Sequence, residues 1–98
     1  MSFAELKTQD IRLVILRCLC EDPSYTLNES ILQSMLDALG HGVSRDRVRT
    51  ELAWLAEQGL LTTNDVVGVQ VATLTARGCD VACGKATQPG VKRPRPRD

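Results

Sequence analysis

Ser44-Arg-Asp-Arg-Val-Arg-Thr-Glu-Leu-Ala-Trp-Leu-Ala-Glu-Gln-Gly-Leu-Leu61 is the stretch whose reading decides the fold. Serine is a preferred helix N-cap, because its hydroxyl accepts from a backbone N–H left unpaired in the first turn. Val48, Leu52, Leu55 and Ala56 then recur at the helical period on one face. Gly59 stops the helix, and Leu60-Leu61 opens a strand while plugging the core. The spacing predicts a helix over 44–58, seated by its apolar stripe. Its N-terminal half presents Arg45, Asp46, Arg47, Arg49 and Thr50. Trp54 falls off the stripe and is expected to be partly buried, against the following hairpin or a partner.

Upstream, a first helix is expected from Ser2 or Ala4 to Cys20, with Ser2 as cap and Glu5 three residues on. Ile11, Val14, Ile15 and Cys18 form a core stripe, while Leu13, Leu16 and Cys20 lie on other sides. A helix apolar nearly all round is buried nearly all round, which predicts a second contact, with another subunit. Glu21-Asp22-Pro23 ends it, since the residue before proline avoids the helical region. Ser24-Tyr25-Thr26-Leu27 reads as a short edge strand. Asn28 caps a second helix, Glu29 to Leu39, with a stripe of Ile31, Leu32, Met35, Leu36 and Leu39. Gly40-His41-Gly42 closes it, and His41 reads as a solvated turn residue. After Gly59, Leu60-Leu61-Thr62-Thr63 and Val66 to Leu74 read as two strands turning at Asn64-Asp65. Thr75 caps a last helix carrying Cys79, Val81, Ala82 and Cys83. From Lys85 the chain turns polar and proline-rich. The expected organisation is therefore a domain over 1–84 and a flexible basic tail over 85–98.

Ninety-eight residues make one domain, and at 43% hydrophobic they can bury one core of Leu, Val, Ile and Ala. No apolar run nears the roughly 20 residues of a membrane span. The N-terminus lacks the basic start and apolar run of a secretory signal, so a cytoplasmic protein with no membrane partner is expected. Formal net charge is zero but uneven. Residues 1–84 hold seven Lys and Arg against eleven Asp and Glu, whereas 85–98 hold five against Asp98 alone. A strongly basic body, the usual footprint of nucleic-acid binding, is absent. With one His, no glycine-rich phosphate loop and no paired carboxylates or nucleophile, an enzyme is not expected. Cys79 and Cys83 share a helix face, but Cys18 and Cys20 point about 200° apart on a helix. The four cysteines are therefore read as small apolar residues, with no metal and no cofactor.

The element order helix, short strand, helix, helix, hairpin, helix is an α+β arrangement, mainly α with a small β-hairpin. It resembles the winged helix-turn-helix. Val48, Leu52 and Leu55 followed by Gly59-Leu60-Leu61 resemble the recognition helix and wing entrance of ArsR-type and MarR-type regulators. More narrowly, four stretches resemble a family of small winged-helix, ArsR-like proteins of Mu-like phages and prophages. They are Asn-Glu-Ser at 28–30, Val-Ser-Arg-Asp-Arg-Val-Arg at 43–49, Leu-Ala-Trp-Leu-Ala-Glu-Gln-Gly-Leu at 52–60 and the Pro-Gly-Val-Lys-Arg-Pro-Arg-Pro ending.

That resemblance implies a phage origin. The winged-helix layout makes a DNA-binding protein in transcription regulation the leading expectation, in the host cytoplasm, and the many-sided first helix predicts a homodimer through the first and last helices. In this fold the third helix enters the major groove, so Ser44, Arg45, Asp46, Arg47, Arg49 and Thr50 are the expected contacts. Arginine suits both guanine edges and phosphates. The alternative is a solvated helix face on which Asp46, Glu51 and Glu57 are the partners. Lys92, Arg93, Arg95 and Arg97, interleaved with prolines, form an arm able to lie along phosphates. The expected wing tip offers no base, and Asp65 there would repel phosphate. The acidic body and uncharged wing favour a second reading, a protein–protein adaptor in phage DNA packaging or assembly with a phage protein as partner.

Overall fold

Each helix starts on the side chain that the sequence singles out for it. In the computed structural model, which describes residues 1–95, Ser2, Asn28, Ser44 and Thr75 accept from the amides of Glu5, Ile31, Arg47 and Gly78 at 2.9–3.1 Å. The elements are α1 Phe3–Glu21, β1 Thr26–Asn28, α2 Glu29–Ala38, α3 Arg45–Glu57, β2 Leu61–Val66, β3 Val69–Leu74 and α4 Ala76–Cys83. The order is the one expected. β3 lies between β1 and β2 in an antiparallel sheet, with Thr26 opposite Thr73 and Leu61 opposite Leu74. The layout is that of a winged helix-turn-helix, with β2 and β3 as the wing.

The core forms around α1. Ile11, Leu13, Ile15, Leu16, Cys18 and Leu19 are all buried, against Leu32 and Leu36 of α2, Val48, Leu52 and Leu55 of α3, and Val81 and Ala82 of α4. The apolar sides of α1 are thus covered within one chain. The premise that led to a partner subunit there is met by α4 and the C-terminal segment. The large apolar side chains left exposed there are Phe3 and Leu6 in the first turn of α1 and Met1 just before it. On α2 the stripe is narrower than expected, with Ile31 and Leu39 exposed.

Three expectations are corrected. The hairpin turns at Val67-Gly68, not at Asn64-Asp65, because Asp65 pairs with Gln70 and Val66 with Val69. Both turn residues have positive φ, +52° and +78°, as a two-residue type I′ turn requires. Asp65 contributes from outside the turn, its carboxylate accepting from the Gly68 amide at 2.8 Å. His41 is not solvated. Its Nε2 donates to the Asp10 carboxylate at 2.7 Å, and its ring is mostly covered.

The third correction is the tail, which is docked along the described part of its length. Val91 is buried in the core, worth roughly 1–2 kcal/mol of apolar burial. The Lys92 amide donates to the Gln9 carbonyl, and Arg12 donates to the Gly90 carbonyl. Ala86 packs on the core as well, and Gln88 bonds to Arg77 and Gln58, so apolar and polar contacts together hold what the composition alone read as a free arm. Trp54 is half-buried as expected, but Arg12 and Gly90 cover it rather than the wing.

Candidate nucleic-acid interface

The expected contact helix, α3, carries its arginines into ion pairs with two buried carboxylates. Glu29, at the start of α2, has no solvent exposure, and Glu51 of α3 is 3% exposed. Burying a carboxylate is costly unless opposite charge and hydrogen bonds surround it. Arg49 satisfies Glu29 with both Nε and a terminal nitrogen, at 2.6 and 3.0 Å, and also donates to the Gly68 carbonyl of the wing turn. The Gln70 amide donates to the same carboxylate at 2.5 Å, and Arg45 approaches it to 3.9 Å. Hydrogen bonds from Arg49 outweigh the opposing effect of burial and hold the Glu29 carboxyl below its ordinary range. One side chain therefore ties α2, α3 and the wing together.

Glu51 is held the same way from α1. Arg12 donates to one of its oxygens at 2.8 Å and Arg47 to the other at 2.7 Å. Arg12 also lies over the Trp54 ring, 3.7 Å from its centroid, a cation–π contact. Arg47 reaches on to the Thr8 hydroxyl at 2.7 Å. Asp10 is held below its ordinary range: burial works to raise it, and His41 and Lys92 outweigh burial.

The remaining expected contacts are placed as follows. Ser44 is the cap of α3, and Thr50 donates to the Asp46 carbonyl one turn back. Asp46 is exposed. Arg45 donates to Gln33 at 2.7 Å and keeps 43% of its side chain in solvent, as Arg49 keeps 42%. Lys92 is drawn to Asp10 at 3.4 Å. Arg93 and Arg95 are exposed and line a groove with Arg17. Arg97 lies outside the described residues.

Sequence reasoning missed Glu29, Arg12 and Arg17. Glu51 was legible, standing four residues after Arg47, the spacing of a helical ion pair. Nothing local marks Glu29 as buried, since its partner is 20 residues away.

Cys18 is buried, and burial pushes its thiol above the ordinary range. Cys20 and Cys79 lie 3.5 Å apart between α1 and α4, and Cys83 is exposed. Burial, then Cys79, raises the Cys20 thiol. Among the described residues no group of three His, Cys, Asp or Glu side chains is placed to hold a metal ion. None of their helices is long and apolar enough to cross a membrane.

Layout and surface together define a small α+β protein of winged-helix architecture, with an arginine-bearing third helix locked to its neighbours. The chain is 58% identical over 93 residues to "Uncharacterized protein gp26" of Escherichia phage Mu, covering 95% of this chain and 96% of that one. It is 56% identical over 78 residues to an uncharacterized protein of Haemophilus influenzae, covering 79% and 76% of the two chains. The chain belongs to the family of the phage Mu protein gp26. No described family profile and no solved structure matches it.

Proposed function

We propose that this phage-family protein is a non-enzymatic, ArsR-like winged-helix protein that contacts DNA through the N-terminal half of α3. The observation that carries the reading is a ratio. Arg12, Arg45, Arg47 and Arg49 surround two buried carboxylates, Glu29 and Glu51, so each carboxylate meets two guanidiniums. The ion pairs leave one guanidinium over per carboxylate, with Asp46 and Asp65 as further charges near Arg49, and each guanidinium has five N–H donors of which the protein uses only some. The arginines of α3 then act as positioned phosphate contacts. Arg49 and Arg47, already committed to Glu29 and Glu51, are poorly free to read base edges.

Arg45 separates this role from stability. It is exposed and its link to Glu29 is long, so removing it has little effect on folding. Arg45→Gln is expected to weaken duplex DNA binding by about threefold to tenfold and to lower the salt slope by about 1, as loss of one phosphate contact does. Thermal midpoint should stay within about 2 °C of wild type. Anisotropy titrations at two salt concentrations, with melts in parallel, check both. Equal binding by variant and wild type removes α3 from the interface.

A second reading, an adaptor that docks another phage protein, is favoured by the wing. β2, its turn and β3 carry no Lys or Arg. Val66, Val67 and Val69 are exposed there, Val67 at 97%. A wild-type protein that binds no duplex at about 50 mM salt gives this reading the lead. In either role we propose a homodimer. With most of α1 covered internally, Phe3 and Leu6 of its first turn, with Met1 just before it, are the exposed large apolar side chains that remain there.

A further inference from the structure

We propose that the groove between the C-terminal half of α1, the end of α4 and residues 93–95 is a phosphate site that takes a nucleic-acid backbone, separate from the α3 surface. The proposal rests on the DNA-binding reading and adds a second contact to it. Arg17, Arg93 and Arg95 all line this open groove of about 430 Å³, together with Cys83, Gly84 and Pro94. Each of the three arginines is exposed, and among the described residues none has a carboxylate within 4 Å.

The contrast with the other arginines is informative. Arg12, Arg45, Arg47 and Arg49 each have a carboxylate partner, and Arg77 donates to Gln88. Glu21, one turn after Arg17, borders a neighbouring hollow with it but does not line this groove. Three guanidiniums lining one groove with no paired carboxylate among the described residues repel one another, and an anion in the groove relieves that repulsion.

The two tail arginines are held in place. Val91 is buried two residues before Arg93, and the Lys92 amide is bonded to Gln9. Pro94, between them, packs on Gly84, where a Cβ would come within 3.3 Å of its ring. Gly84 takes a φ of +86° to end α4, so the close approach and the turn both use its missing side chain. Proline fixes its own φ, which limits how far the flanking arginines can wander. The backbone that carries Arg93 and Arg95 is thus placed before binding, and the cost that remains is ordering the three side chains.

Guanidinium forks match phosphate oxygens in pairs. An open groove at the surface suits a passing polymer rather than an enclosed small molecule. The site is also distinct from α3, whose Arg47 reaches α1 at Thr8 and whose Glu51 meets α1 at Arg12. Arg17 stands nine residues beyond Thr8, about 13 Å further along the helix axis.

The test uses the full chain and a labelled 20-base-pair duplex, titrated at several salt concentrations. The Arg17→Gln, Arg93→Gln, Arg95→Gln triple variant should keep the wild-type melting temperature. It should bind at least about tenfold more weakly at low salt, with the slope of log K against log salt smaller by about 2–3. The corresponding triple lysine variant should keep most of that slope. If wild type and glutamine variant bind the duplex alike, the groove proposal falls while the DNA reading stands. If wild type binds no duplex, both fall. If poly-L-glutamate displaces the duplex as well as unlabelled DNA does at equal charge, the groove belongs to an acidic protein and the proposal is overturned.

Discussion

Glu29 has no contact with solvent, and its carboxylate receives hydrogen bonds from Arg49 and from the Gln70 amide. Removing it strands those donors and leaves Arg49 without its partner, the situation in which a broken buried pair destabilises strongly. Glu29→Ala is expected to lower the melting temperature by on the order of 10 °C. Glu29→Gln, which keeps an acceptor, should lose less. Linkage gives the pH behaviour its sign. Glu29 and Asp10 both sit below their ordinary carboxyl values in the folded protein. Their stabilisation is present above those ordinary values, about 4.5 for a glutamate, and is lost as pH falls from there through the folded values. Acid unfolding followed by circular dichroism should therefore begin below about pH 4.5, and Glu29→Gln should make the transition shallower. An unchanged acid limb in that variant would mean that Glu29 does not sense the fold.

At the scale of elements, α4 is packed on the entry to β2 more tightly than propensity suggests. Thr75 donates to the Gly59 carbonyl, and its amide donates to the Leu60 carbonyl. A Cβ on Gly78 would lie 1.9 Å from that Leu60 oxygen. Alanine normally favours a helix over glycine by about 1 kcal/mol. Here Gly78→Ala should instead destabilise, by about 2 kcal/mol or more, as forced overpacking does. Urea unfolding checks the sign, and a stabilised variant would refute the packing. The elements themselves were legible because their signals are local. Ser2, Asn28, Ser44 and Thr75 cap helices whose apolar residues recur within a turn or two. The wing turn was misplaced because Asn64-Asp65 is the stronger local turn signal. Pairing of Val66 with Val69 prevails over it and puts a β-branched residue, Val67, at positive φ. What stayed illegible is non-local. An arginine bound to a buried glutamate 20 or 39 residues away reads the same as one facing water.

For the whole molecule, the acidic body and basic tail are one unit along the described residues, because Val91 seats in the core and Lys92 meets Asp10. A single valine in a polar segment has no period to betray it, so the tail reads as free from composition alone. The docked tail also covers α1, which shrinks the exposed large apolar side chains that α1 itself offers a second copy to Phe3 and Leu6 of its first turn. Sedimentation at tens of micromolar, the range where modest interfaces hold, should show a dimer that Phe3→Ser with Leu6→Ser converts to monomer. A monomeric wild type would remove the homodimer. The claim on which the account turns is that the arginine-rich start of α3 meets DNA. A duplex titration followed residue by residue in backbone amide NMR spectra tests it most directly. Shifts are expected at residues 44–50, with a second set at 17, 93 and 95. Shifts confined to the wing tip at 66–69, or none at low salt, would contradict it.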